Sequence, residues 1–395
     1  MRAVELSADW APRKGFKLGP KDIEGKLSWL GSQVWRNPTV RVVEKPVPTI
    51  EPTQVLLKVM ACGICGSDVH MAQTDQEGYI LYPGLTAFPC VLGHEISGVV
   101  EKAGPHAINR RTNRPFEPGE PVTTEEMLWC GTCKPCADGF PNHCERLEEL
   151  GFTVDGGYAE YVKVDAKYLW SLKPLEENYP GDKLFLAGSL VEPTSVAYTA
   201  VIVRGGGIRP GESAVIVGGG PIGLAACAIM RRAGAENVIL SEPEAGRREM
   251  AKRLGATHTI DPLREDFVER VLDITGGMGA KLYLEASGIP DKVVPQIEKC
   301  IWLGRQVNST LVVVARSPVP TPITCEVYQV RRAQIVGSQG HSGHGTFWNV
   351  ISLMKSGMDL TPMISVQIKL EEVPQYLKRL QTDKSLCKVT VRPNL

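Results

Sequence analysis

Hydrophobic and polar positions follow different patterns in the two halves of the chain. Residues 39–105 form short apolar runs broken by Gly and Pro, residues 106–150 are polar and turn-rich, and residues 156–164 alternate as a half-buried strand does. Beyond about residue 190, apolar runs alternate with amphipathic segments of helical period. The first half predicts an irregular β-rich domain, and the second predicts a parallel sheet with helices on both faces.

The alternating half predicts individual elements. Strands are expected at Ala214–Val217, Val238–Ser241, Thr257–Ile260, Leu282–Glu285, Thr310–Val314 and Gln334–Gly337, and helices at Pro221–Ala233, Ala245–Leu254, Phe267–Ile274 and Lys292–Cys300. The alternation lapses after Gly337, and Val389–Arg392 is typical of one further strand. We therefore expect an α/β protein. A doubly wound sheet of residues 191–337 is inserted in a discontinuous β-rich domain of residues 1–190 and 338–395.

A glycine-rich turn joins the first predicted strand of the sheet to its helix. In a dinucleotide-binding turn, Gly218 would permit the tight bend, Gly220 would let the backbone approach a pyrophosphate, and Gly223 would allow close helix–strand packing. The helix that starts at Pro221 and Ile222 would direct its positive end at the phosphates. A plain connecting turn is the alternative, but the strand–turn–helix context favours dinucleotide binding.

Glu242 ends the next strand, nineteen residues after Gly223. A carboxylate there accepts hydrogen bonds from ribose hydroxyls and repels a 2′-phosphate, which predicts NAD rather than NADP. Arg247 lies one helical turn further on and could instead attract that phosphate. A solvated cation or an ion pair with Glu242 are equally open interpretations of Arg247.

Four cysteines cluster within fifteen residues, at Cys130, Cys133, Cys136 and Cys144. Four closely spaced thiolates are typical of a structural zinc site that holds a loop together. An iron–sulfur cluster is the main alternative, although its motif closes with a shorter gap and Cys-Pro. Free thiols, or His143 in place of Cys144, are lesser alternatives.

Two further stretches carry candidate metal ligands. The first runs from Cys62 through Cys65 to His70, and the second is Gly93-His94-Glu95. Alone, the Cys pair could be a redox C-x-x-C and His94 a buried core histidine. A redox pair, however, starts a helix in a βαβ unit, whereas this one lies in the β-rich region. A thiolate and an imidazole together suit zinc.

In their order along nearly the whole chain, these motifs resemble the zinc-containing medium-chain dehydrogenase family. The family's G-x-C-x-S-D-x-H and G-H-E motifs match Cys65 and His94, and a four-cysteine lobe and a Rossmann domain follow. The resemblance implies a GroES-like catalytic domain, NAD, and two zinc ions per chain, one catalytic and one structural. It also implies oxidation of a secondary hydroxyl to a ketone, in which zinc acts as a Lewis acid and the cofactor accepts hydride.

The third catalytic ligand separates the branches of this family. Classical alcohol dehydrogenases use a second cysteine, but this chain has none between Cys144 and Cys227. It has Leu-Val-Glu192-Pro instead, which resembles the polyol and threonine dehydrogenase branch. In that branch either Glu95 or Glu192 could be the direct ligand, and the resemblance leaves both open.

The same match implies roles for three neighbours of Cys65. Asp68 would orient the zinc-binding histidine. Ser67 would take the substrate proton, and His70 would release it to solvent, although His70 could also be an ordinary surface histidine.

Composition narrows the remaining classes of function. The chain has 44 Lys+Arg and 44 Asp+Glu among 395 residues, so its formal net charge is zero. Nucleic acid and anionic membranes select basic surfaces, so neither is an expected partner. The N-terminal residues lack the apolar core of a secretory signal, and the longest charge-free apolar run, Ala214–Met230, is shorter than the roughly 20 residues of a membrane span. We expect a cytoplasmic protein.

The substrate is predicted to be a polyol, because a carboxylate-ligated zinc suits vicinal oxygens. Within the branch, the long loops resemble bacterial enzymes of inositol catabolism that oxidise a keto-inositol to a diketone. Threonine and sorbitol dehydrogenases are alternatives, as is a catalytically silent nucleotide sensor.

Three segments are longer than in a minimal family member: residues 10–35, residues 73–89 with Tyr79 and Tyr82, and residues 338–346 with His341 and His344. Family members pair through residues matching 310–330, which predicts a homodimer or homotetramer.

Overall fold

The structure is a computed structural model and describes residues 1–19, 22, 30–317, 319–341, 343 and 345–395. The chain divides into two compact units. The first comprises Met1–Glu192, Phe347–Lys355 and Ile364–Leu395, and the second comprises Pro193–Thr346 and Ser356–Met363. The predicted boundaries between the β-rich domain and the inserted doubly wound domain stay a prediction.

The strands, in chain order, are β1 (Arg2–Trp10), β2 (Trp35–Glu44), β3 (Gln54–Gly63), β4 (Cys90–Val91), β5 (Glu95–Ala103), β6 (Ile108–Asn109), β7 (Arg114–Pro115), β8 (Pro121–Thr124), β9 (Met127–Leu128), β10 (Glu148–Glu149), β11 (Tyr161–Asp165), β12 (Leu169–Ser171), β13 (Ala214–Val217), β14 (Val238–Ser241), β15 (His258–Ile260), β16 (Leu282–Glu285), β17 (Thr310–Val313), β18 (Gln334–Gly337), β19 (Ile364–Ile368) and β20 (Lys388–Val391).

The α-helices are α1 (Gly66–Ala72), α2 (Lys134–Ala137), α3 (Lys183–Ser189), α4 (Val191–Tyr198), α5 (Pro221–Arg232), α6 (Ala245–Leu254), α7 (Phe267–Ile274), α8 (Pro290–Leu303), α9 (Cys325–Val330), α10 (Thr346–Lys355) and α11 (Val373–Arg379). A π-helical turn, Thr199–Arg204, follows α4. Short 3-10 helices lie at Gly31–Gln33, Pro141–His143, Ala166–Tyr168, Lys173–Leu175, Thr361–Met363 and Leu370–Glu372.

The first unit is built on a sheet of seven strands, in the order β12-β8-β5-β3-β20-β19 with β11 also paired to β3. In the antiparallel ladder of β3 and β5, Gly63 lies opposite Glu95. Thr390 of β20 lies opposite the same Gly63 on the other side of β3. The end of β3, the start of β5 and β20 therefore meet at one point, over a core that includes Leu57, Ile96 and Val389.

The second unit contains a six-stranded parallel sheet in the order β15-β14-β13-β16-β17-β18. This order reverses between β13 and β16, which is the dinucleotide-binding topology, and the predicted α/β fold is confirmed. Strands β13, β14 and β16 are buried along their whole length, as strands covered on both faces must be. Helix α8 is longer than predicted, because it begins at Pro290 and continues to Leu303.

The predicted pairing segment 310–330 contains β17, which has neighbours on both sides, β16 and β18. Leu311 in β17 is fully buried, so the apolar run is core rather than edge. Within the described part of the chain, the terminal strand on this side of the sheet is β18, and three of its four residues are exposed. Pro318, part of the predicted segment, lies outside the described residues.

One helical run, Lys183–Arg204, is long and apolar enough by length and composition to cross a membrane. Its most apolar window is 72% buried inside the protein, which is typical of a core helix.

Candidate active site

Three candidate metal ligands meet where β3 ends and β5 begins. Because Gly63 pairs with Glu95, Cys65 just after β3 lies close to His94 just before β5. One ligand atom from each of Cys65, His94 and Glu95 lies within 4.8 Å of the others. A thiolate, an imidazole and a carboxylate at this separation fit a zinc ion.

The surroundings of Cys62, the other cysteine of the C-x-x-C, argue against a redox role. Its side chain is completely buried. Burial, reinforced by the charges of Asp68 and Glu95, raises the pKa of the Cys62 thiol well above its ordinary value. A protonated, buried thiol is a poor redox nucleophile. This geometry favours the metal-site interpretation of Cys65.

Asp68 joins helix α1 to the candidate ligand His94. Its Oδ2 accepts the backbone N–H of Cys65 at 2.9 Å and the hydroxyl of Tyr158 at 2.8 Å. Its Oδ1 lies 3.7 Å from Nδ1 of His94. Burial opposes the charge on His94, but Asp68 and Cys65 outweigh it and raise the pKa of His94 well above 6.5. The opposite ring nitrogen, Nε2, is left as the atom suited to metal binding.

Glu95 forms a buried ion pair with Lys388. Lys388 on β20 donates to both of its carboxylate oxygens, at 2.6 and 2.7 Å, and both side chains are buried. Gly63 makes room for the carboxylate, since a Cβ there would lie 1.8 Å from Oε2 of Glu95. Glu95 is therefore a carboxylate neutralised by a lysine, within reach of the metal position.

Glu192, the other candidate carboxylate, lies in the first turn of helix α4 and is buried. It lies outside the tight group of Cys65, His94 and Glu95, but its charge contributes to the raised pKa of His94. A carboxylate oxygen of Glu126, also buried, lies within 4.8 Å of one from Glu192. In this structure Glu95 is the carboxylate grouped with Cys65 and His94, and both glutamates stay predicted ligands.

The predicted proton relay lies on α1. The Oγ atom of Ser67 is shielded from solvent and makes no hydrogen bond within the described part of the chain. His70, one turn further, is exposed. The pKa of His70 is lowered below 6.5, mainly because nearby protein atoms partly desolvate the imidazole and secondarily because of the positive charge of Lys384. A lowered pKa keeps its imidazole neutral and able to accept a proton at neutral pH.

The four-cysteine lobe forms a compact second group. The Sγ atoms of Cys130, Cys133, Cys136 and Cys144 all lie within 4.8 Å of one another, and all four are free thiols. Cys130 accepts the N–H groups of Thr132 and Cys133, each at 3.4 Å. These hydrogen bonds lower the pKa of Cys130 to about 4. N–H donors that stabilise a thiolate are what a tetrahedral zinc site requires, so the lobe fits structural zinc.

The glycine turn of the second unit has the close approaches predicted for it. Gly218 has a φ of +105°, and a Cβ on Gly223 would lie 1.8 Å from the carbonyl oxygen of Gly218. A Cβ on Gly220 would meet nothing within 4 Å, which leaves space above the start of α5 at Pro221 and Ile222. A phosphate at this helix start would meet free N–H groups and the positive end of the dipole.

Glu242 is held in place by this turn. Its Oε2 accepts the N–H of Gly219 at 2.6 Å, and its Oε1 accepts the N–H of Glu244 at 2.9 Å. Arg248 also contacts the Glu242 backbone, because its Nη1 donates to the carbonyl oxygen at 2.7 Å. Arg248 forms an ion pair with Asp261, just after β15, so it links the β14–α6 connection to the end of β15.

The long loop 73–89 reaches the candidate ligands through aromatic rings. The Tyr82 ring lies 5.2 Å from that of Phe152, which lies 4.7 Å from the imidazole of His94. His341 belongs to the second unit, and His344 lies outside the described residues.

Sequence reasoning missed Lys388, Tyr158, Glu126 and Phe152. A lysine at the start of the otherwise apolar strand predicted near residue 389 was the available signal for Lys388. The other three carry no local signal, because their roles depend on contacts between distant segments.

Comparison with known proteins places this site in a family. Residues 51–174 match the alcohol dehydrogenase GroES-like domain, and residues 221–356 match the zinc-binding dehydrogenase domain. Scyllo-inosose 3-dehydrogenase of Thermotoga maritima is 71% identical over 392 residues, 99% of each chain. L-threonine 3-dehydrogenase of Bacillus velezensis is 35% identical over 330 residues, 83% of this chain and 88% of that one.

Comparison with solved structures supports the same family. A Thermotoga maritima protein assigned as an alcohol dehydrogenase superposes with a TM-score of 0.97 at 70% identity, covering 99% of this chain and 100% of that one. A Sinorhizobium meliloti protein assigned as a zinc-binding dehydrogenase, bound to NADP, gives 0.76 at 28% identity, covering 93% and 99%. The chain belongs to the zinc-containing medium-chain dehydrogenase family. It is an oxidoreductase of that family, with a nicotinamide nucleotide and zinc as cofactors and a small molecule as substrate.

Proposed function

We propose that the enzyme oxidises a secondary hydroxyl of a cyclic polyol of the inosose class, with NAD as hydride acceptor. The observation that carries this proposal is the 71% identity to scyllo-inosose 3-dehydrogenase over 99% of both chains. At that identity and coverage, the candidate ligands, the glycine turn and the long loops all fall within the aligned region. Two electrons and one hydrogen nucleus leave the carbon as hydride, and the hydroxyl proton leaves separately.

The metal centre is proposed to hold zinc through Cys65 and His94, with Glu95 or Glu192 as the carboxylate. Zinc, when bound, supplies the Lewis acidity that lowers the pKa of a substrate hydroxyl. Asp68, held by Tyr158, fixes the start of α1 and lies beside Nδ1 of His94. Lys388 balances the charge of Glu95.

The proton path is proposed to begin at Ser67 and end at His70. The shielded Oγ of Ser67 is suited to receive a substrate proton, since it has no competing partner in the described residues. His70 is exposed on α1, and its lowered pKa keeps it neutral near neutral pH, so it can take up a proton and pass it to solvent.

The cofactor site is proposed to be the turn of Gly218, Gly220 and Gly223, with Glu242 selecting NAD. The second zinc is proposed in the four-cysteine lobe, where preformed N–H to sulfur hydrogen bonds support it. Cytoplasmic location and a homodimer or homotetramer complete the proposal. Among the described residues β18 is the terminal strand on its side of the sheet and is mostly exposed, which supports pairing between copies by strand addition.

L-threonine oxidation is the second candidate, supported by relatives near one third identity. Threonine needs a cation for its carboxylate, and residues 338–346 contain neither Arg nor Lys. The test is NAD reduction, followed by absorbance, against scyllo-inosose, myo-inositol, sorbitol, L-threonine and ethanol. The proposal expects the highest kcat/KM with a cyclic polyol and a dicarbonyl product from scyllo-inosose. Strong activity on threonine or ethanol alone would overturn it.

A further inference from the structure

The N-terminal extension is fastened along the loop 73–89. We call residues 10–13 and 30–37 the N-terminal brace. Its backbone contacts to the loop are hydrogen bonds from Gly31 N to Gly84 O (3.1 Å), Asn37 N to Gly78 O (2.9 Å) and Ile80 N to Trp35 O (3.1 Å). The ring of Trp35 packs between Trp10 and Phe88, with centroids 5.0 and 5.1 Å away. The two insertions therefore form one structure.

Arg13 is the main side-chain link between brace and loop. Its guanidinium forms ion pairs with Asp75 and with Glu77, the latter at 2.9 Å, and stacks 3.9 Å above the ring of Tyr79. Asp75 in turn accepts the N–H groups of Glu77 and Tyr79. A planar guanidinium can pair with two carboxylates and stack on an aromatic ring at the same time, so Arg13 fixes the loop more tightly than a lysine could.

The far end of the loop contacts the metal-binding elements. The N–H groups of Leu81 and Tyr82 donate to the carbonyl oxygen of His70 on α1, at 3.0 and 3.2 Å. The ring of Tyr82 rests on Phe152, and Phe152 rests on the imidazole of His94. A continuous set of contacts thus leads from Arg13 to His94.

We propose that the N-terminal brace positions the metal ligand His94, acting through the loop 73–89 and the Tyr82–Phe152 pair. Arg13, Tyr82 and Phe152 are positioning residues, because they act through His94. A ligand's ring plane is set by the groups packed around it. Asp68 contacts one ring nitrogen only at 3.7 Å, so ring packing has much of this task. The inference rests on the proposed role of His94 as a zinc ligand.

The test compares Arg13→Met with Arg2→Met in the cobalt-substituted enzyme. Arg2 is a matched control, since it also binds two carboxylates, Glu160 and Glu371, in the first unit but away from the loop. Arg13→Met should alter the position or intensity of the cobalt d–d bands, whereas Arg2→Met should leave them as in wild type. Arg13→Met should also lower kcat/KM by roughly tenfold, because a displaced catalytic group reacts more slowly. Identical spectra for the two variants would overturn the inference.

A second comparison keeps the inference testable if Arg13→Met folds poorly. Phe152→Leu should change the cobalt spectrum in the same sense, and Tyr79→Leu should do so more weakly. Adding Tyr79→Leu to Phe152→Leu should produce no further change, because both lie on one path; additive changes would contradict it. The spectrum needs no substrate. Wild-type failure to oxidise cyclic polyols would therefore overturn the proposed function and leave this result standing.

Discussion

Lys388 and Glu95 form an ion pair in which each side chain is only 1% exposed. Burial opposes the charge of the lysine, but the charges of Glu95 and Cys65 outweigh it and raise the pKa of Lys388. Lys388 also donates to the carbonyl oxygen of Ile64 at 3.0 Å, so it is anchored to the end of β3. The pair places a neutralised carboxylate beside the candidate metal ligands.

Removing Lys388 should destabilise the protein strongly. Lys388→Met leaves the Glu95 charge buried without its cation, which costs roughly 3–5 kcal/mol in free energy of unfolding. Combining it with Glu95→Gln should recover most of that loss. Urea unfolding measures both. The control is Lys45→Met, whose partly exposed pairs with Glu5 and Asp155 should be worth about 0–1 kcal/mol. Equal losses for the two lysines would contradict this account of Lys388.

Wild-type protein should contain two zinc ions per chain by metal analysis. Cys65→Ala should retain one ion, keep its fold and lose activity, because it removes a catalytic ligand. Cys133→Ala should lower the unfolding temperature, since a structural zinc contributes directly to folding. Iron in the protein, or a single zinc in wild type, would show that one of the two sites is misassigned.

Removing the charge of Glu242 should relax cofactor selectivity. Glu242→Gln should reduce the NAD over NADP ratio of kcat/KM by roughly tenfold, equivalent to about 1.4 kcal/mol, because repulsion of a 2′-phosphate is lost. Glu244→Gln, at the exposed neighbouring carboxylate, should leave the ratio unchanged. A wild-type preference for NADP would mean that Arg247 governs the site.

The acid side of the pH–rate profile should report His70. Its pKa is lowered, so it stays neutral, and competent as proton acceptor, below pH 6.5. Activity should therefore fall only as pH drops through that lowered pKa. His70→Gln should remove this limb and lower kcat by about 100-fold. The exposed His106→Gln serves as control. An unchanged acid limb in His70→Gln would exclude His70 from the relay.

Association should depend on the edge strand β18. Ile335, 37% exposed on that edge, should be part of the interface. Ile335→Asp places a charge there and should shift the protein toward monomer in light scattering at micromolar concentration. Val42→Asp, at a similarly exposed valine of the first unit, is the comparison. A wild-type monomer would refute the predicted homo-oligomer.

The parallel sheet was predictable almost to the residue. Its central strands, such as Ala214–Val217, are short apolar runs buried along their whole length, because both faces are covered by helices. Local sequence therefore carries enough information. The edge was less predictable: β17 and β18 are both apolar, and only the pairing order shows which one is terminal.

The first unit was harder to predict, because its contacts join distant segments. Cys65 and His94 come together through the ladder of β3 and β5, and their motifs indicated zinc mainly through family resemblance. Lys388 lies 293 residues from Glu95, and no periodicity near either residue announces their contact. The role of the N-terminal extension was equally hidden, since Arg13 contacts Asp75 and Glu77 only after both insertions fold together.

The pairing of β20 with the end of β3 has a consequence for synthesis. Lys388 leaves the ribosome 324 residues after Ile64, which is roughly 15 s to a minute at usual rates of translation. During that interval the backbone groups of Cys62 and Gly63 that will face β20 have no partner strand. An unpaired edge invites strand addition by other chains. A chain that has been translated through β3 but not yet through β20 therefore exposes an edge prone to aggregation, and slower translation between the two strands would prolong that exposure.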